Sequence, residues 1–258
     1  MKDNIGKVKP KKALGQHFLM DLNIAHDIVD ALSDEVGEVV EVGAGMGVLT
    51  RYLIPKFGDR LHVVEIDNES VVYLEKAFPE LGTAIEHADF LKTDLHHFGD
   101  NIAIIGNFPY NISSQIFFHV LKYRDNVIEI VGMLQKEVAE RISAAPGSKT
   151  YGILSVLLQA WYDIEYLFTV NENVFNPPPK VKSAVIRLRR NKVMSLCCDE
   201  KHFAITVKQA FNQRRKTLRN SLRSLVPADM MGNPLLDKRP EQLSVDDFVT
   251  LTNMLSIK

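Results

Sequence analysis

Short continuous apolar runs alternate with amphipathic stretches along most of this chain. Residues 39–42, 61–66, 84–88, 102–105 and 127–134 are apolar runs of strand length bounded by turn residues. That is how strands buried on both faces of a parallel sheet read. Between them, apolar residues recur at helical spacing. The stripe Leu22, Ala25, Ile28, Val29 and Leu32 predicts a helix capped by Asp21. Further helices are predicted from the glycines at 43–47 to Pro55, through Phe78, and from a cap at Ser113 or Ser114 to Leu121. Two more are predicted over residues 136–144 and 153–160. Strand alternating with helix argues for a doubly wound, mostly parallel sheet. Two last runs, 164–170 and 183–188, are separated by Asn176-Pro177-Pro178-Pro179 with no room for a crossover helix, so they should pair antiparallel. A charged stretch at 187–192 then divides the chain into a domain over 1–190 and a small helical domain over 191–258.

Composition is that of an ordinary globular protein, with 46% apolar and 24% charged residues in 258. No apolar stretch is long enough to cross a membrane, and the basic arm 1–12 lacks the apolar centre of a signal peptide. With Cys197 and Cys198 adjacent, and read as reduced thiols, the expectation is a cytoplasmic protein. Net charge is −1, so a nucleic-acid partner must be met by a local patch. From Lys201 to Arg223 the chain carries Lys208, Arg214, Arg215, Lys216 and Arg219 as well, without one acid. Phe211, Leu218, Leu222 and Leu225 interleave with them at helical spacing, which predicts one packed helix with a basic side. A solvated face and a phosphate-contacting face explain that side equally well. Lys7, Lys9, Lys11 and Lys12 add charge in the N-terminal arm.

Candidate chemistry gathers at the carboxyl ends of the predicted strands, where open α/β sheets bind ligands. Gly43, Gly45 and Gly47 lie between a strand and a helix, where the backbone can approach a ligand or simply turn tightly. Glu65 ends the second strand about twenty residues on, the place for a carboxylate that accepts from ribose hydroxyls. Asp89 ends the third, where it could accept from an adenine amino group. Asn107-Phe108-Pro109-Tyr110 ends the fourth. Taken alone it fits an ordinary strand-to-helix turn. It also suits a grip on an extruded nucleobase, with an amide for the base edge and an aromatic face for stacking. No phosphate-loop lysine and no metal-ligand cluster is evident. A nucleoside cofactor beside a base grip implies group transfer to a base amine.

The chain resembles the KsgA family of ribosomal RNA adenine N6,N6-dimethyltransferases. The likeness rests on residues 12–19 (KALGQHFL), 41–47, 64–67, Asp89, 106–113 (GNFPYNIS), 175–181 (FNPPPKV) and 211–218 (FNQRRKTL), which cover nearly the whole chain in order. It implies a class I methyltransferase-like, seven-stranded sheet with its last strand antiparallel and a C-terminal RNA-binding domain. It also implies S-adenosylmethionine as cofactor, while the lack of an obvious apolar interface stripe in the sequence reads as action as a monomer. The partner would be 16S rRNA in the small ribosomal subunit or its precursor, where two adjacent adenosines of the 3′-terminal hairpin loop are dimethylated. By the same resemblance, His17 and Leu19 touch the cofactor, Gly43 and Gly45 line its amino-acid end, Glu65 holds its ribose, and Asp89 and Phe90 meet its adenine. Asn107 closes that site and orients the target amine with a carbonyl of Phe108 or Pro109, while Tyr110 and Phe175 sandwich the target adenine. Lys208, Arg214, Arg215, Lys216, Arg219 and Arg223 would contact RNA. The family usually has Asn in place of His17 and often Leu in place of Phe108. A macrolide-resistance methyltransferase acting on 23S rRNA shares these motifs; a ribosome-assembly factor whose methylation is secondary is the alternative from another class, and the intact cofactor loop argues against a pure binding protein.

Overall fold

The computed structural model describes residues 8–255, so Lys7 of the basic arm lies outside the described residues. Seven strands form one sheet: β1 (Glu38–Val42), β2 (Leu61–Glu65), β3 (Ile85–His87), β4 (Ile102–Asn107), β5 (Val127–Gln135), β6 (Tyr162–Val170) and β7 (Ser183–Arg190). Their order is β3-β2-β1-β4-β5-β7-β6. Pairing is parallel from β3 through β5, and β7 runs antiparallel to β5 with Ser183 opposite Gln135. The two runs joined by the proline segment are therefore neighbours at one edge. Ile102 to Ile105 are wholly buried, as expected of a central strand covered on both faces. Each of the three isoleucines, Ile102, Ile104 and Ile105, contributes about 1.5–3 kcal/mol of burial.

Helices α1 (Leu22–Asp30), α2 (Thr50–Phe57), α3 (Asn68–Ala77), α4 (Ser113–Val120) and α5 (Lys136–Ile142) follow or precede these strands. Asp21 caps α1 by accepting from the N–H groups of Asn23 and Ile24. Two ends differ from expectation. The α2 helix continues past Pro55 to Phe57, because the proline falls in the last turn and Phe57, 4% exposed, still packs in the core. Neither Ser113 nor Ser114 caps α4: Ser113 is its first residue, and its hydroxyl donates to the Tyr110 carbonyl at 3.4 Å.

Two compact units result, one of residues 1–139 with 165–190 and one of 140–164 with 191–258. The boundary read at 190 from the charged stretch thus misses a segment of the second unit. The helix α6 (Ile153–Gln159) buries Leu154, Ser155, Val156, Leu157 and Leu158, so it needs cover nearly all round, and it packs with the tail helices. The tail helices are α7 (Glu200–Asn212), α8 (Leu218–Ser221) and α9 (Val245–Met254), and α6 meets α7 and α9. Phe211 stacks on Phe248 there with ring centroids 6.0 Å apart. The single basic helix expected over 201–223 is broken. It stops at Asn212, because Gln213 leaves helical geometry and the Arg214 guanidinium reaches the carbonyls of Lys149 and Tyr151.

Candidate active site

The chain leaves β1 toward β2 and β3 on one side of the sheet, and returns to β4 and β5 on the other. A crevice opens beyond the carboxyl ends at such a switch point. Glu41 lies opposite Ile105, and continuing that register by two residues sets Gly43 level with Asn107. Gly43 has φ +71°, a conformation side chains rarely adopt, and only Pro109 stands near the place a Cβ would take, at 3.9 Å. At Gly45 an added Cβ would meet the Phe18 ring at 2.8 Å. The loop is thus shaped to bring backbone, not side chains, to the crevice.

Glu65 is buried and accepts two backbone bonds, from Gly45 N–H at 2.9 Å and Asp67 N–H at 2.8 Å. Burial raises its pKa above the ordinary carboxylate range, against these two donors, which favour the charged form. It holds the glycine loop and faces a cavity of about 190 Å³. Since a single water needs only ~10–15 Å³ of such space, the cavity has room for a nucleoside-sized ligand. Gly43, Gly45, Asp89, Phe90, Asn107 and Tyr110 line it as well, so cofactor and base candidates share one site. Asp89 caps the short turn Phe90–Lys92, and Ile66, though 49% exposed, adds an apolar wall that the strand pattern did not single out. Glycine backbone, buried carboxylate and apolar wall fit the sugar and ring of a nucleoside cofactor.

The tetrapeptide divides its work. Asn107 donates from Nδ2 to the His17 carbonyl at 2.8 Å, which turns its Oδ1 away from that carbonyl as a remaining acceptor. Phe108 is 1% exposed and points inward. Its ring fills the space over Gly132, where a Cβ would come within 2.3 Å, and meets Phe117 edge-on. Its contribution to the cavity is therefore backbone. Pro109 already gives its carbonyl to the Ile112 N–H, whereas the Phe108 carbonyl accepts no hydrogen bond among the described residues. Tyr110 pairs its hydroxyl with Ser183 Oγ at 2.5 Å.

Residues 11–19 form a strap along the cavity, with Leu14 to Phe18 in its lining. Lys11 pairs with the buried Asp67 at 2.5 Å, and Gln16 donates to the other Asp67 oxygen at 3.1 Å. Burial works to raise the Asp67 pKa, but these partners outweigh it and hold the carboxyl below its usual range. Lys11, Gln16 and Asp67 escaped the sequence reading as individual site residues. The signal was the Lys-x4-Gln spacing ahead of an acid two positions beyond Glu65.

Two expected residues sit elsewhere. Leu19 does not line the large cavity; it lines a smaller one of about 30 Å³, with Glu41, Gly43, Gly45 and Asn107. Phe175 pairs with Leu19 across a two-residue ladder (Phe18–Leu19 with Phe175–Asn176) and is 4% exposed in the apolar core beside Val170 and Val185. It is not among the residues that line the large cavity. The ring facing Tyr110 is His17, with centroids 5.3 Å apart and planes 30° apart.

In the second unit, Lys208, Arg215, Lys216 and Arg223 are exposed. Arg214 is tied to the two carbonyls named above. Arg219 binds Asp237 Oδ1 through two nitrogens, at 2.9 and 2.6 Å, and donates to the Met231 carbonyl. These two of the six predicted RNA-binding cations are partly engaged inside the fold.

Strand order, glycine loop and acid-tipped strands define a class I methyltransferase. A family model described as ribosomal RNA adenine dimethylase matches residues 7–256. A ribosomal RNA small subunit methyltransferase A of Cytophaga hutchinsonii is 60% identical over 256 residues, covering 98% of this chain and 99% of the relative. One of the same name from Parabacteroides distasonis is 61% identical over 249 residues, 95% and 93% of the two chains. A dimethyladenosine transferase from Plasmodium falciparum, at 23% identity, shares the fold with a TM-score of 0.77 over 93% of this chain and 99% of that one. The chain belongs to the ribosomal RNA adenine dimethylase family.

Proposed function

We propose that this enzyme dimethylates N6 of two adjacent adenosines in the 3′-terminal hairpin loop of 16S rRNA, within the small ribosomal subunit or its precursor. In this reading it acts as a monomer in the cytoplasm, with a role in subunit biogenesis, and its second unit binds RNA through exposed cations. The observation that carries the reading is Asn107: its donor is committed to His17, leaving an acceptor in the cavity that Glu65, Asp89 and the glycine loop also line. The curated relatives' names supply the small subunit.

S-adenosylmethionine, when bound, supplies a sulfonium methyl that is already an activated electrophile. Gly43, Gly45, Glu65, Asp89 and Phe90 would hold it, with the strap at His17 and with Leu19 at the smaller cavity. The target amine is a poor nucleophile because its lone pair is delocalised into the ring. Accepting its two N–H bonds on Asn107 Oδ1 and the Phe108 carbonyl draws that lone pair out of conjugation, and Pro109 fixes the spacing of the two acceptors. Tyr110 offers a stacking face worth ~1–3 kcal/mol to an extruded base. Holding the amine in line contributes several kcal/mol more by proximity. No strong base is required.

The test uses purified protein, labelled cofactor and immature small subunits from cells lacking the enzyme, with primer extension across both large rRNAs. Stops at the paired adenosines of 16S rRNA alone are expected. Asn107→Ala and Tyr110→Ala should abolish them while retaining part of cofactor binding. Stops in 23S rRNA, or full activity in either variant, would overturn the assignment.

A further inference from the structure

Ser183 opens β7 and has no exposed surface. A buried hydroxyl without a partner is costly, and this one has a single side-chain partner, the hydroxyl of Tyr110 at 2.5 Å. The tyrosine is therefore held at two points. Its hydroxyl is fixed by β7, and its ring is flanked by His17. His17 is itself pinned, since its Nδ1 lies 2.7 Å from the Pro177 carbonyl, which can only accept, so Nδ1 carries the proton. One face of the Tyr110 ring is thus occupied by a residue of the strap, and its tilt is set by a residue some seventy positions away in sequence.

We infer that Ser183 is a positioning residue for methyl transfer, acting through the Tyr110 hydroxyl to fix the ring against which the target base stacks. This rests on the reading of Tyr110 as the stacking surface. The phenol is then a tether and not an acid or base: its oxygen is engaged by the Ser183 hydroxyl, and burial raises its pKa further from neutrality. A preset ring spares the incoming base the ordering of a free tyrosine side chain, so the benefit falls on the rate of the bound complex and not on cofactor affinity.

The experiment is a cycle of Ser183→Ala, Tyr110→Phe and the double variant, with Tyr110→Ala as reference. It is assayed for kcat and KM on immature small subunits, for cofactor affinity and for thermal midpoint. Either single variant should lower kcat by roughly 2- to 12-fold, the worth of one hydrogen bond. KM for the cofactor should stay close to wild type, each single variant should lower the midpoint through the hydroxyl it leaves unpaired, and the kcat of the double variant should equal that of either single. Unchanged kcat in Ser183→Ala, or losses that multiply in the double variant, would overturn the inference. Full activity in Tyr110→Ala would instead remove the reading of Tyr110 itself. An inactive Tyr110→Ala beside a fully active Tyr110→Phe would remove only the tether.

Discussion

Asn107→Asp separates two tasks of one amide. The wild-type Nδ2 donates to the His17 carbonyl at 2.8 Å and so ties the strap to the end of β4, while Oδ1 remains an acceptor. Aspartate has nearly the same shape and keeps an acceptor, but it has no N–H to give. A carboxylate oxygen then stands where the amide nitrogen stood, facing a carbonyl oxygen at hydrogen-bond distance. The lost bond is worth about 0.5–1.5 kcal/mol, and two opposed acceptors bring the penalty to about 2–3 kcal/mol. That corresponds to a roughly 30- to 150-fold poorer closure of the strap. Because Leu14 to Phe18 form part of the cavity wall, the loss should be read as weaker cofactor binding in isothermal titration calorimetry. Asn107→Ala behaves oppositely. It loses the tie without gaining repulsion, so cofactor affinity falls by only roughly 2- to 12-fold. It also loses the amine acceptor, which by analogy with single transition-state donors costs roughly 10²–10³ in single-turnover rate at saturating cofactor. The two variants should therefore cross, Asp the poorer binder and Ala the slower catalyst. Wild-type cofactor affinity in Asn107→Asp, or the same rank order in both assays, would refute the division of tasks.

Glu41 is buried, and its carboxyl is pushed up to about 8 by burial, opposed by a 2.6 Å bond from the Thr50 hydroxyl. A raised folded-state pKa favours folding below the ordinary value of 4.5, and that contribution is lost as pH rises through 8. Melting curves from pH 5 to 9 should show wild-type stability falling by about a few kcal/mol across this window. Glu41→Gln, which can still accept from Thr50, should flatten the fall; parallel curves would refute it. Gly132→Ala places a methyl group against the Phe108 ring and should cost about 1–3 kcal/mol by overpacking while displacing the Phe108 carbonyl, so stability and methyl transfer should fall together. An unchanged denaturant midpoint would show that the ring yields. Neutralising Arg215, Lys216 and Arg223 together should weaken RNA binding and reduce its dependence on log salt by roughly 2–3. Arg214→Ala should act more on the stability of the second unit, through the carbonyls of Lys149 and Tyr151. Equal salt slopes for the triple variant and wild type would refute the assignment of the exposed cations.

What the sequence made legible follows from how locally each feature is determined. Period and turn residues place β1 to β5 within a few residues, because a strand buried on both faces must be apolar throughout, and Ile102 to Ile105 could be little else. The carboxyl-edge sites were legible for the same reason: once the strands are parallel, Gly43, Glu65, Asp89 and Asn107 must come to one edge. Features set by distant contacts were not. Helix α6 reads as part of the α/β domain until its buried faces find α7 and α9. The basic run 201–223 reads as one helix because nothing local reveals that Arg214 is drawn to Lys149 and Tyr151, sixty-odd residues upstream.

Phe175 marks the same limit within the site. Its proline-flanked motif directs attention to a ring, yet pairing with Leu19 draws that ring into the core. The place beside Tyr110 goes to His17, a position where a family pattern rich in Asn gives no hint of an aromatic partner. Asn and His share one capability that explains the exchange: an N–H close to the Cβ, able to donate to the Pro177 carbonyl as His17 Nδ1 does. His17→Asn should therefore keep the strap in place while baring the Tyr110 ring, whereas His17→Phe should keep a ring and lose the strap's bond to Pro177. If that bond is the feature held in common, the Asn variant will bind cofactor like wild type and the Phe variant will not. The reverse ranking in calorimetric titration would show instead that the ring contact holds the strap.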